Sequence, residues 1–340
     1  MNEQNENAPV VVTDSDHPNL DPEQDVLSSA GLGLRREQCL TAEDVIARCR
    51  GAKALINQYA PITAEVLDAL PELRLVVRYG VGVETVDIDA ATRRGVWVAN
   101  VPDYGTAEVA DHTMALALAL LRGVTSYDRS VRSGGWDYQV ARPLRRLSAL
   151  TFGVIGCGTI GLAVAARAAA FGMRVVGADV IPGRNLAGSP ITQVDLDELL
   201  AVSDIISVHA TMARDAAPLI GAQAMEAMRP SAMLVNTARG GLIDTAALVA
   251  ALDMGQLGGA ALDVLETEPA TPSVRDALAR HPRVVLSPHA AWYSEESYVQ
   301  LKSEVAREAV RVLAGQPPRC PVNQPKLDRR AEATSTEVHR

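Results

Sequence analysis

Cysteine is scarce in this chain of 340 residues, and the four present, Cys39, Cys49, Cys157 and Cys320, stand at no spacing that suits a metal site or a disulfide framework. Neither a structural metal nor an oxidising compartment is expected. No apolar run reaches the roughly 18 residues that a membrane span needs. The polar start Met1–Asn7 lacks the basic and apolar regions of a secretory signal, so the cytoplasm is the expected location and no membrane the expected partner. Cations are not in excess: 32 Lys and Arg stand against 41 Asp and Glu, a formal charge of −9. Because phosphate contacts need clustered cations, direct nucleic-acid binding is not expected, and any anion handled here should be small and held in a local pocket. No segment repeats at a fixed period.

What is present is alternation. Val10-Val11-Val12, Ala54-Leu55-Ile56, Leu75-Val76-Val77 and Val96-Trp97-Val98 are short strand-like runs separated by helical stretches, the rhythm of an α/β unit with a parallel sheet. Thr63-Ala64-Glu65, followed by Val66, Leu67 and Leu70, has the cap, acidic first turn and apolar face of a helix that stops at Pro71. Residues 107–122 are nearly all apolar and predict a buried helix that connects two domains. A second alternating series begins at Leu150 and runs through Val175-Val176, Ile205-Ile206, Leu234-Val235, Ala261-Leu262 and Val284-Val285-Leu286. Leu301–Leu313 has helical spacing, and Pro317, Pro318 and Pro321 end regular structure.

The strand-like Thr151–Ile155 runs directly into Gly156-Cys157-Gly158-Thr159-Ile160-Gly161 and then a helical stretch. Gly156 permits the tight turn, Gly158 lets the backbone approach a pyrophosphate, Gly161 lets helix and strand pack closely, and the helix start offers unpaired amides to an anion. The next strand ends in Asp179, 18 residues beyond Gly161, near the spacing at which a carboxylate meets ribose hydroxyls and repels a 2′-phosphate. NAD is therefore favoured over NADP, and Arg184, past Pro182-Gly183, reads as a solvated loop charge. The cofactor set is Gly156, Gly158, Thr159, Ile160, Gly161 and Asp179, joined by Thr237 and Ala238. Gly80-Val81-Gly82 also follows a strand but lacks a third glycine and a following acid. It is either a plain turn or a small anion nest suited to a carboxylate.

Three further segments follow apolar strands: Asn236-Thr237-Ala238-Arg239-Gly240-Gly241, Asp263-Val264-Leu265-Glu266-Thr267-Glu268-Pro269 and Ser287-Pro288-His289-Ala290-Ala291-Trp292. Strand ends on one edge of a parallel sheet converge, so an arginine, a carboxylate and a histidine delivered there can meet one substrate. Arginine offers a planar donor fork for a carboxylate, and histidine can give a proton to a forming alkoxide and take it back. Either Glu266 or Glu268 could orient the imidazole.

Together with the glycine turn, these segments resemble the D-2-hydroxyacid dehydrogenase family from about Val10 to Asn323. Arg78-Tyr79-Gly80-Val81-Gly82-Val83, Asn100-Val101-Pro102-Asp103-Tyr104, Val109-Ala110-Asp111-His112 and His289-Ala290-Ala291-Trp292-Tyr293-Ser294-Glu295-Glu296 look closest to its C-terminal-binding-protein-like branch. The resemblance implies two Rossmann-like doubly wound α/β domains with a cleft between them. One is a flavodoxin-like, discontinuous substrate domain, 8–103 and 294–325; the other is an NAD-binding Rossmann domain, 104–293, with disordered tails at 1–7 and 326–340. It implies a homodimer acting on a small 2-oxo or 2-hydroxy acid. It also implies roles: Arg239 for the substrate carboxylate and carbonyl, His289 as acid/base, Glu268 as its partner, the Val81 and Gly82 amides for the carboxylate, and Asp263 for the nicotinamide carboxamide. Arg78 joins the substrate set, and so does Trp292 on its place three residues after His289, where a ring either packs between domains or contacts an apolar substrate side chain; Glu266 is left as a solvated loop residue. The chain departs from the family at Ala210-Thr211-Met212-Ala213, where a Pro-Leu-Thr stretch is usual, and at Ala141-Arg142 beside Trp136, in a loop that contacts the second subunit. Arg142 is expected to be solvated. His17, His112, His209, His281 and His339 are expected to have core or surface roles. Phosphoglycerate or an unusual acid, even a phosphorus oxyacid, are alternative substrates, and a nucleotide-sensing scaffold is the alternative class.

Overall fold

The computed structural model describes residues 8–181, 184–212 and 216–325, so Ala213 of the departing stretch, Pro182-Gly183, His339 and the tails at 1–7 and 326–340 lie outside the described residues. The chain divides into two compact units. One holds the described residues up to Tyr104 and from Ser294 onward, and the other is Gly105–Tyr293.

The first unit runs β1 (Val10–Val12), α1 (Asp21–Ser29), β2 (Leu34–Arg36), α2 (Ala42–Arg48), β3 (Ala54–Asn57), α3 (Ala64–Ala69), β4 (Leu75–Arg78), α4 (Ile88–Arg93) and β5 (Trp97–Ala99). Its five strands are all parallel, in the order β2-β1-β3-β4-β5, the flavodoxin-like winding. Alternate residues Val11, Leu55, Val76 and Val98 face one side and pack with Val45, Val66 and Ala90 of α2, α3 and α4. Thr63 caps α3 by accepting from the Val66 amide. β2 has no β-branched residue and forms an edge strand that periodicity did not reveal.

In the second unit, α5 (Thr106–Leu121) and α6 (Val124–Arg132) lead into β6 (Thr151–Ile155), α7 (Thr159–Ala170), β7 (Arg174–Ala178), β8 (Thr192–Gln193), α8 (Leu196–Val202) and β9 (Ile205–Val208). Then come α9 (Ala222–Ala227), β10 (Met233–Asn236), α10 (Thr245–Asp253), β11 (Gly259–Leu262), α11 (Pro272–Ala279) and β12 (Val284–Leu286). All pairings are parallel in the order β12-β11-β10-β9-β6-β7-β8, so winding reverses between β6 and β9. Both faces are covered. Ile206, Leu234, Ala260 and Leu262 pack on one side with Leu199, Met225 and Leu248, while Phe152, Val154, Ile205, Val235 and Ala261 pack on the other with Ala110, Met114, Val164 and Ala168. The apolar helix at 107–122 is thus α5, and it lies within this unit.

The final helix α12 (Glu295–Leu313) belongs to the first unit and begins earlier than its apolar spacing indicates, because Ser294 and Ser297 cap its start reciprocally. α12 packs along α1 through a buried polar cluster. Lys302, fully buried, donates to the Asn19 carbonyl and to Tyr298 Oη at 3.0 Å, and lies 3.5 Å from Glu23 Oε2. Tyr79 donates its hydroxyl to Glu23 Oε1 at 2.5 Å, and His17 sits edge-on to Tyr79 and Tyr298, so the core reading of this histidine is the right one. Burial pushes the Glu23 carboxyl above its usual range, against the downward pull of the Tyr79 hydrogen bond and the Lys302 charge. Removing one partner of a buried pair leaves the other charge uncompensated. Glu23→Ala should cost about 3–5 kcal/mol in urea unfolding, and a loss below about 1 kcal/mol, the size of a surface pair, would show that Lys302 does not depend on Glu23.

Candidate active site

The turn after β6 lies at the point where the second sheet reverses its winding, which is where open α/β sheets bind ligands. Gly156, at φ +91°, has no room for a side chain, since a Cβ would stand 2.7 Å from the His209 carbonyl. A Cβ on Gly161 would fall 2.0 Å from the Gly156 carbonyl oxygen, so helix and turn touch through backbone. Gly158 differs. Its φ of −76° suits any residue and a Cβ there would meet no protein atom, so nothing in the fold requires the glycine. Among the described residues no acceptor takes the amides of Gly158, Thr159 or Ile160. An open cradle at Gly158 beside free helix-start amides fits a dinucleotide's pyrophosphate.

Asp179 stands at the end of β7 as expected, but its carboxylate is not free for a ribose alone. Oδ2 accepts the Cys157 amide at 2.7 Å, Oδ1 accepts the Ile181 amide at 2.8 Å, and Arg184 Nε lies 2.9 Å from Oδ2. The reading of Arg184 as a solvated charge is corrected: it is paired with Asp179 and offsets part of its charge. The carboxylate also fixes the glycine turn through Cys157.

Arg239, Glu268 and His289 come together. Asn236, fully buried at the end of β10, braces the first loop by accepting from the Ala238 amide at 3.0 Å and donating to the Arg239 carbonyl at 2.8 Å. A Cβ on Gly240 would lie 1.9 Å from the Leu265 carbonyl carbon, so the loops after β10 and β11 run in backbone contact. Glu268 Oε1 accepts the Leu265 amide at 3.0 Å, and Oε2 lies 2.6 Å from His289 Nδ1. Burial pushes the Glu268 carboxyl up, but the hydrogen bond and charge of His289, the Leu265 amide and the Arg239 charge outweigh it and hold the group below its ordinary value. With Nδ1 engaged, the half-exposed imidazole of His289 has Nε2 left for a substrate. Arg239 donates from Nη1 to the Ala238 carbonyl at 2.8 Å.

The other candidates find their places through hydrogen bonds. Glu266 is exposed in its loop, as expected, and its Oε1 also accepts the Thr245 amide at 2.9 Å, which steadies the start of α10 and separates it from Glu268. Asp263 is nearly fully buried and accepts from Ser287 Oγ and from the Ala290 and Ala291 amides, so it holds the histidine loop. His112 also belongs to a constellation, with Nε2 3.0 Å from Ser287 Oγ. Local spacing could not have revealed this contact, which joins residues 175 apart. His209 Nε2 lies 2.7 Å from Ser207 Oγ, and burial pushes its imidazole down to about 4, which disqualifies it as a neutral-pH acid. His281 pairs with Asp253 at 3.1 Å. Thr237 Oγ1 meets Thr113 Oγ1 at 2.7 Å, and Ala238 is the half-buried residue before Arg239. Trp292 packs edge-on to Tyr293, with its backbone against Gly105. Met212, in the departing stretch, packs against Gly241. Arg142 is exposed, as expected.

In the first unit, Gly80 sits at φ +112°, where its carbonyl accepts from the Val101 amide at 3.0 Å and Asn100 Nδ2 donates to the Val81 carbonyl at 2.6 Å. The Val81 and Gly82 amides donate to no acceptor among the described residues, although Gly82 is buried. A buried, unpaired amide is costly unless something accepts from it, which favours the nest over the plain turn. Arg78 donates from Nη1 to the Tyr79 carbonyl at 2.5 Å.

Comparison with known proteins agrees with this geometry. The profile of the D-isomer specific 2-hydroxyacid dehydrogenase NAD binding domain matches residues 114–291. The chain is 36% identical over 290 residues to a glycerate dehydrogenase of Methylorubrum extorquens, covering 83% of this chain and 89% of that one. It is 39% identical over 287 residues to a glyoxylate reductase of Korarchaeum cryptofilum, covering 82% and 85%. Among solved structures, a D-lactate dehydrogenase of Aquifex aeolicus complexed with NAD and lactic acid is similar at TM-score 0.82 and 29% identity, over 90% of this chain and 96% of that one.

The two glycines separate cofactor binding from folding. Gly158→Ala should leave the melting temperature unchanged while weakening NADH binding, measured by nicotinamide fluorescence, at least about tenfold. Gly161→Ala should lower the melting temperature itself. Wild-type NADH affinity in Gly158→Ala would contradict the cradle.

Proposed function

Since the chain belongs to the D-isomer specific 2-hydroxyacid dehydrogenase family, we propose that it interconverts a short 2-oxo acid of the glyoxylate or hydroxypyruvate kind and the matching 2-hydroxy acid, of D configuration where C2 is a stereocentre. Its cofactor is NAD, which supplies or accepts the hydride at C2. The observation that carries the acid/base assignment is the 2.6 Å contact of His289 Nδ1 with Glu268. In reduction, His289 Nε2 gives its proton to the carbonyl oxygen as that oxygen becomes an alkoxide, and in oxidation it takes the proton back. Glu268 fixes the ring and stabilises imidazolium, and Arg239 holds the acid's carboxylate and polarises its carbonyl. The unpaired Val81 and Gly82 amides suit a carboxylate, with Arg78 adding positive charge to the first unit's strand edge.

The names of the relatives support a short substrate, and the half-buried Trp292 favours a side chain without phosphate. Turnover of NADH with glyoxylate, hydroxypyruvate, pyruvate and phosphohydroxypyruvate tests this: one of the first two should be best, and phosphohydroxypyruvate as the best would overturn it. Placement in the C-terminal-binding-protein-like branch rests on the stretches that resemble it, and tight NADH binding without turnover of any acid would favour a scaffold. The reading includes a homodimer, supported by α6, which buries no residue, and by Trp136 at 90% exposed beside it. It also includes a cytoplasmic location without direct nucleic-acid contact, in keeping with the charge of −9. No described helix is long and apolar enough to cross a membrane.

Glu268 is held ionised through the neutral range, so removing its charge takes away a stabiliser of imidazolium. Glu268→Gln should move the limb for reduction to lower pH and let oxidation begin at lower pH. Unmoved limbs in Glu268→Gln, with shifted ones in Glu266→Gln, would transfer the role to Glu266. Arg184→Ala exposes the full charge of Asp179 and should sharpen the preference for NADH over NADPH in kcat/KM, whereas a weakened preference would show that Arg184 does not offset that charge.

A further inference from the structure

The carboxylate of Asp263, at the end of β11, is committed to the loop that carries His289. Oδ1 accepts Ser287 Oγ at 2.5 Å and the Ala290 amide at 2.9 Å; Oδ2 accepts the Ala291 amide at 2.9 Å; and the Asp263 carbonyl takes the His289 amide at 2.8 Å. Three successive amides are thus held by one residue. His289 itself stands at φ +55°, a conformation that a non-glycine residue keeps only where its surroundings over-determine it.

Ser287 links this clamp to α5. His112 Nε2 lies 3.0 Å from Ser287 Oγ and 3.6 Å from Asp263 Oδ1. Serine, histidine and aspartate in contact invite comparison with a nucleophile triad, but the connections run in the wrong order. The hydroxyl's only proton goes to Asp263, so Nε2 must donate to the serine oxygen and no base remains to activate it. The neighbouring residue on α5, Thr113, bonds Thr237 in the loop that carries Arg239. Adjacent α5 side chains therefore grip both loops.

We propose that His112 and Ser287 are positioning residues for the reaction: acting through Asp263, they set the conformation of residues 287–291, and with it the contact of His289 Nδ1 with Glu268 and the aim of Nε2. This rests on the assignment of His289 as acid/base. Neither residue needs to touch substrate or to change its charge.

The test uses the intact enzyme with NADH and its best 2-oxo acid, alongside NMR of the His289 Cε1–H resonance in the absence of substrate. Ser287→Ala should lower kcat about tenfold, since small misplacements of a reacting group are costly, and should leave the NADH Kd within about twofold because the glycine turn is untouched. The chemical shift of the His289 resonance should move. His112→Phe, which keeps a ring but loses the donor, should act the same way, and His112→Gln, whose amide still donates, should recover most of the loss. Wild-type kcat and an unmoved resonance in both Ser287→Ala and His112→Phe would overturn the proposal, as would a lower melting temperature with those two readouts unchanged. Intact turnover in His289→Ala would defeat the acid/base assignment instead, and the resonance would still report whether Ser287 and His112 position the ring.

Discussion

The site depends on one steric condition, the backbone approach at Gly240. No side chain fits where a Cβ would lie 1.9 Å from the Leu265 carbonyl carbon, and that contact brings the loop bearing Arg239 alongside the loop bearing Glu268. Asn236, buried at the preceding strand end, ties the first loop to itself. Glu268 takes the Leu265 amide of its own loop and reaches His289 from the third. Parallel strands deliver all three loops to one sheet edge, but backbone contact at a glycine sets their spacing there.

Electrostatics then distinguishes residues of the same type. Two histidines follow strands at this edge, and desolvation takes His209 down to about 4, while His289 stays half-exposed against an ionised carboxylate. Of the acids, Glu268 faces the imidazole, whereas Glu266 and Asp263 serve backbone amides. Asp179 fixes the glycine turn through the Cys157 amide, and Arg184 offsets part of its charge.

Local pattern made much of this legible. Val10–Val12, Leu75–Val77 and Thr151–Ile155 announced themselves as buried strands, the glycine turn followed its strand directly, and the Arg, Glu and His segments each followed an apolar run. The edge strands β2 and β8 were not legible, because Leu34-Arg35-Arg36 and Thr192-Gln193 are short and partly exposed, with no buried run to mark them. Side-chain partners were legible only where the family resemblance supplied them. His112 and Ser287, or Glu266 and the start of α10, meet through tertiary packing that no local spacing encodes. Gly158 and Gly161 look alike in sequence, yet one faces open space and the other a carbonyl oxygen.

The central claim is that this edge supports hydride transfer to the carbon beside a carboxylate, giving the D product. It is tested most directly with NADH carrying two deuteriums at C4 and with hydroxypyruvate, whose reduced C2 is a stereocentre, following the label and the configuration of the product. The account predicts deuterium at C2 of a D-2-hydroxy acid in wild type and almost none formed by His289→Ala. An L product, or label absent from C2, would contradict it.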